Sequence, residues 1–223
     1  DDMAFIHSSF TQTNKHSPAL FQINTGMSRM GFPCLGSWTT YGLGSESKNL
    51  PAFVVMYDTL GRGLPKGHAS NWGAGFLPGV YQGTYINTQH TEIDKLIENV
   101  RNKRLPLQAQ RRQLDLLAEL NRQHLEQRGY DPALEARIHN FELAYRMQSE
   151  AAEAFDVSRE TKEVLDRYGP GVQARQLLIA RRLIERGVRH VQLWHGQGQP
   201  WDNHDDIEVN HRKLAGEQDR GLA

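Results

Sequence analysis

The 223-residue chain carries 26 basic and 26 acidic side chains, a formal net charge of zero, so it lacks the basic excess that neutralises a phosphate backbone, and nucleic acid is not an expected partner. Its apolar runs, such as Ala52 to Met56, fall far short of the ~20 residues that cross a bilayer, and no transmembrane segment is expected. The length suits one large domain, and the single cysteine, Cys34, can make neither an internal disulfide nor a thiolate metal site by itself.

Met3 to Ser8 reads as a short strand. A polar segment follows, and then a helix opening at His16 or Ser17, with Pro18 in its first turn and Gly26 as its stop. Such a start can hold an anion on free N–H groups, although an ordinary strand-to-helix turn has the same pattern. Pro33 to Ser47 is rich in glycine and aromatic residues and lacks the Gly-Lys-Ser/Thr ending of a phosphate loop. Pro51 to Tyr57 is apolar on both faces, as in a strand inside a sheet. Residues 61–104 read as a Gly/Pro-rich, lid-like loop around Asn71-Trp72-Gly73-Ala74-Gly75-Phe76.

Two long helices are expected next. Leu107, Leu114, Leu117, Ala118 and Leu125 share one face of the first, which Gly129 ends. Asp131-Pro132 opens the second, with Leu134, Ile138, Phe141, Tyr145, Gln148, Ala152 and Phe155 as its core stripe. They form an antiparallel hairpin, and the arginines among their acidic neighbours read as a salt-bridged, solvated face. Ser158 is placed as the cap of a short helix ending near Gly169. A further helix, Val172 to Arg186, passes through Gly187 into a strand, Val188 to Trp194. The expected fold is α/β, a mainly parallel sheet covered by helices, in one domain. Residues 1–60 hold the first βα units, 61–104 the lid, 105–169 a helical insertion, and 170–223 an αβ unit with the start of a last helix.

The loop after that last strand, His195 to His204, concentrates two imidazoles and a carboxylate at the carboxyl end of a strand, where open α/β sheets hold their ligands. His195, Asp202 and His204 are candidate metal ligands, with His211 a further donor if the site is self-contained and mononuclear. A solvated polar loop under a packed Trp201 is the plainer alternative.

Several segments resemble an uncharacterised bacterial domain family grouped with the alkaline phosphatase and sulfatase superfamily. They are Asn24-Thr25-Gly26, Gly36 to Glu46, Asn49 to Val55, Asn71 to Pro78, Phe141 to Gln148, and Trp201-Asp202-Asn203-His204. His16 to Gly26 is similar to the sulfatase signature, with His16 at the nucleophile position, where it cannot become the aldehyde hydrate on which sulfatases depend. The resemblance implies an alkaline-phosphatase-like fold and a metal-dependent hydrolase of phosphate or sulfate esters, small-molecule or saccharide. It implies a divalent zinc, manganese or calcium ion on Asp202 and His204, with His195 as third ligand or substrate contact, and His16 as the catalytic group, whether nucleophile, anion donor or metal ligand. Arg29 and Trp72 are the candidate substrate-binding residues. The alternative is a non-catalytic binding or assembly member of the same fold. The resemblance also implies export to the periplasm or medium. It implies further metal-binding strands before Asp1 and after the helix near Glu208, so both ends read as cuts through a larger domain, and the fragment alone is expected to be inactive.

Overall fold

A computed structural model describes residues 7–58, 67–90, 92–97, 102, 104–197 and 199–223. Three strands, β1 (Phe53–Asp58), β2 (Thr84–Ile86) and β3 (His190–Gln197), form a parallel sheet of order β2-β1-β3 among the described residues. The expected first strand lies outside the described residues for 3–6, and His7 and Ser8 form a turn. The helices are α1 (His16–Thr25), α2 (Leu35–Leu43), α3 (Ile93–Leu96), α4 (Leu107–Arg128), α5 (Pro132–Phe155), α6 (Lys162–Tyr168), α7 (Val172–Ile184) and α8 (Ile207–Leu222). The chain is thus α/β, and no helix among the described residues is long and apolar enough to cross a membrane.

Alternation along β1 divides the core in two. Val54 and Met56 pack with Ile86, Met147, Phe155, Ile179 and Leu183, so α5 and α7 cover that face. Phe53, Val55 and Tyr57 point the other way, into a cluster with Cys34 and Trp72. Tyr57 stacks on Tyr85 with ring centroids 4.1 Å apart, and Trp72 meets Trp194 edge-on at 6.5 Å. Trp72 is therefore a core residue in the 3₁₀ turn His68–Trp72, and not a lid.

Sequence periodicity misses α2, because Gly, Thr, Ser and Trp are poor helix formers. Packing holds it: a Cβ on Gly36 would come 2.5 Å from the Phe53 ring, so only glycine lets the helix lie so close to the sheet. Thr40 is buried and returns its hydroxyl to the Gly36 carbonyl at 2.9 Å, which satisfies the polar atom within the helix. The lid region likewise supplies β2, whose three residues are too few to read from alternation.

The hairpin of α4 and α5 is antiparallel, since Arg111 pairs with Glu142 and Asn121 with Glu135. Asp131 caps α5 by accepting from the Ala133 and Leu134 amides. Its buried stripe differs from the expected one: Ala136, Ile138, Met147, Ala151, Ala154 and Phe155 are buried, while Phe141 is 49% exposed. The face is chosen by α7 and the sheet, which small alanines approach closely. Thr161, not Ser158, caps α6.

Gly75 holds the connection beneath α2. Its φ is +56°, and an added Cβ would lie 2.4 Å from the Phe32 carbonyl carbon and 2.5 Å from the Pro33 nitrogen. Backbone cannot rotate aside as a side chain can. Gly75→Ala should therefore cost about 2 kcal/mol, from left-handed strain plus overpacking, read as a shift in urea midpoint at unchanged slope. An unshifted midpoint would show that the turn relaxes without cost.

Candidate functional site

The carboxyl end of the sheet gathers the chemistry. β3 pairs with β1 in regular register up to Tyr57 and Trp194, and then Asp58 pairs with Gln197. His195 and Gly196 are left as a bulge at the strand end, a common device beside sites. Gly196 has φ +70°, and Pro200 sits where its Cβ would be, so the chain folds tightly back and delivers Trp201 and Asp202 over the strand end.

Asp202 meets an imidazole on each carboxylate oxygen. His16 Nε2 lies 3.2 Å from Oδ2 and His204 Nε2 lies 3.2 Å from Oδ1. His16 stands at the first turn of α1, which starts after Lys15 with no side-chain cap. Its position relative to the sheet is fixed from the other end of the helix. There Gln192 of β3 donates to Asn24 Oδ1 at 2.9 Å, and Asn24 donates to Asn71 Oδ1 at 3.3 Å. Gln192 and Asn24, which place α1 on β3, were not singled out by periodicity; Asn24 stood only within the Asn-Thr-Gly turn.

His16 Nε2 faces the carboxylate at ion-pair distance, and in the tautomer that directs a ring proton at Asp202 the basic nitrogen is Nδ1. No hydrogen-bond partner meets Nδ1 among the described residues. The side chain is 51% exposed and borders a groove of about 940 Å³, whose walls include Phe10, Leu20, Ile23, Trp194 and Trp201. A half-solvated imidazole, oriented by a carboxylate at the mouth of an apolar groove, can take a proton or attack an electrophile.

His195 is separate from this pair. The Trp201 indole donates to its Nδ1 at 3.0 Å, so the proton of the neutral ring sits on Nε2, 3.4 Å from Glu217 Oε2 on α8. His211 Nε2 meets the Trp201 carbonyl oxygen at 3.0 Å. His195 and His211 thus hold Trp201 from two sides and so set the loop that carries Asp202. Neither makes a hydrogen bond or ion pair with Asp202 or His204 among the described residues. Behind His195 lies a second, polar cavity of about 650 Å³, bordered by Gly171, Gln173, Asp202, Lys213 and Glu217.

The structure therefore brings His16, Asp202 and His204 together, and places His195 in the wall behind them. Imidazole and carboxylate are the donor chemistry of zinc or manganese. Yet the two rings lie on different oxygens of Asp202, and among the described residues no three His, Cys, Asp or Glu side chains are placed to hold one ion. The arrangement does not fit a mononuclear centre built from these residues alone. Arg29 is exposed, with its guanidinium 5.2 Å from the Phe32 ring centre, and it borders neither cavity. Trp72 also borders neither.

Residues 1–223 match the sequence model of a family described as a protein of unknown function, DUF1501. Neither the curated proteins nor the solved structures contain a match.

Proposed function

We propose that this chain, which belongs to the DUF1501 family, is part of an ester hydrolase, with phosphate or sulfate esters as substrates and an alkaline-phosphatase-like arrangement of its sheet. The observation that carries the reading is the contact of His16 Nε2 with Asp202 Oδ2 at 3.2 Å, which joins residues far apart in sequence at the carboxyl edge of a parallel sheet. In this reading Asp202 orients His16 and stabilises the imidazolium as Nδ1 takes a proton from the water that attacks the ester, and the imidazolium returns that proton to the alcohol whose bond to phosphorus or sulfur breaks. The free N–H groups at the start of α1 favour an anionic ester beside it. Export belongs to the same reading and rests on the resemblance alone.

The apolar groove sets the expected leaving group. An aromatic alcohol portion can lie against Ile23, Trp194 and Trp201, and burying a ring of that size favours binding by about 1.5–3 kcal/mol. An aryl ester should accordingly exceed the methyl ester by about tenfold or more in kcat/KM. Purified protein assayed on aryl phosphate and aryl sulfate, with and without added zinc, manganese or calcium, tests the proposal. Turnover of either supports it. A folded protein that hydrolyses neither points to the non-catalytic binding member instead.

A divalent ion is the second reading, favoured by the two 3.2 Å spacings on Asp202, close to the separation of ligands that share an ion. It requires a donor beyond the described set. Metal content after dialysis, compared between the parent and His204→Ala, checks it: equal and substoichiometric metal in both ends that reading.

A further inference from the structure

The opposite, amino-terminal edge of the sheet holds a cavity that the reaction does not use. It has a volume of about 390 Å³ and lies where β1 and β2 begin, at Phe53 and Thr84, between α5 and the loop that follows α2. The lining includes Lys48, Gln82, His139, Asn140 and Arg146 on its polar side, and no aspartate or glutamate among the described residues. In a chain with equal numbers of acidic and basic residues, a cavity with two permanent cations, an imidazole and no carboxylate is a local concentration of positive charge.

Arg146 Nε donates to the Glu142 carbonyl at 3.4 Å, and the carboxylates nearby have further partners. Glu142, one turn from Arg146, forms a bidentate pair with Arg111, and Glu150 accepts from Asn49 at 2.6 Å. Lys48 has no ion pair among the described residues. His139 lines the same cavity. Burial first, and then the Arg146 charge, push its imidazole below the ordinary value, against the opposing pull of Glu135 and Glu142. Opposite the cations the wall is apolar, with Leu50, Phe53, Tyr81 and Leu143. The volume is at the lower end of the range for small-molecule sites.

We propose that this cavity is a binding site for a small organic oxyanion, its charged group held by Lys48 and Arg146 and its apolar body against Tyr81 and Leu143. The site is separate from the His16 and Asp202 pair, and binding here does not depend on turnover there.

His139 reports on occupancy, because an anion beside Arg146 offsets the charge that depresses the imidazole. The His139 ring titration, followed by NMR, should move upward on saturation with benzenesulfonate, a non-hydrolysable probe. Inorganic sulfate should give the same shift at higher concentration, since it lacks the apolar body, and benzoate distinguishes a carboxylate site from one for a tetrahedral oxyanion. Lys48→Ala and Arg146→Gln should each weaken benzenesulfonate by about tenfold, the loss of one charge-assisted contact. Asp202→Asn should leave the response unchanged, which keeps this site's failure distinct from that of the proposed reaction. A His139 titration that none of the three probes moves, or a shift that survives both cation variants, overturns the proposal.

Discussion

For the proposed ester hydrolysis, Asp202→Asn is expected to lower kcat by about 10²–10⁴, with KM changed little, because a misplaced general base costs that much. The carboxylate serves two imidazoles, His16 on Oδ2 and His204 on Oδ1. Asparagine has one oxygen and one NH₂, so one of the rings must face a donor, and to stay bonded it must move its proton to the other nitrogen. If that ring is His16, Nδ1 becomes N–H and ceases to be a base. Folding should hardly register the change: Asp202 is 38% exposed, and ion pairs at such sites contribute about 0–1 kcal/mol. The comparison that decides is kcat against urea midpoint. A kcat within twofold of the parent, at an unchanged midpoint, would remove Asp202 and the tautomer argument from the mechanism. His204→Ala should cost far less, as this ring is 81% exposed and lies on the other oxygen.

Arg182→Ala should destabilise the fold by about 3–5 kcal/mol, a large part of the ~5–15 kcal/mol that holds a typical domain together. The side chain is 7% exposed and points from α7 at the end of α5. There Nε donates to the Ala154 carbonyl at 3.1 Å and Nη2 to the Glu153 carbonyl at 2.6 Å. Both carbonyls belong to the last turn of α5, which has no intrahelical donors for them. Nη1 pairs with Glu160, which also takes Arg181 Nη2 at 2.8 Å. Truncation thus leaves two carbonyls without a donor and Glu160 with Arg181 as its remaining partner. Lysine brings a single point charge and should recover only part of the loss. Thermal unfolding should fall by about 10 °C or more. A loss below about 1 kcal/mol would mean that water reaches these carbonyls.

The same cluster sets a pH dependence. Burial raises the Glu160 carboxyl, but Arg182 and Arg181 together outweigh it and hold the group below the ordinary carboxylate range. A depressed carboxylate contributes stability that is full above its unfolded value, about 4.3, and is lost as pH falls through the folded value. The gap between parent and Arg182→Ala should therefore be complete at neutral pH and narrow in acid below about pH 4.

The bounds of α1 and β1, and the passage of α7 through Gly187 into β3, were legible because each is a local signal: a proline near a helix start, a glycine at a helix end, a run of β-branched and aromatic residues. The hairpin of α4 and α5 was legible for the same reason. The face that α5 buries was not, since several hydrophobic stripes of similar strength wind around one helix and the neighbouring elements select among them. The helix α2 and the strand β2 were invisible locally, because close approach to Phe53 and hydrogen bonding to β1 stabilise them.

The candidate site divides in the same way. The sequence by itself determined that two histidines and an aspartate follow a buried strand, and that another histidine opens a helix. Only the tertiary structure decided the pairing. The Asn24 to Gln192 contact seats α1 on β3, and the turn at Gly196 carries Asp202 to His16, while Trp201 occupies Nδ1 of His195. Which donors converge depends on distances between segments nearly two hundred residues apart, and such distances arise from packing that no local pattern encodes.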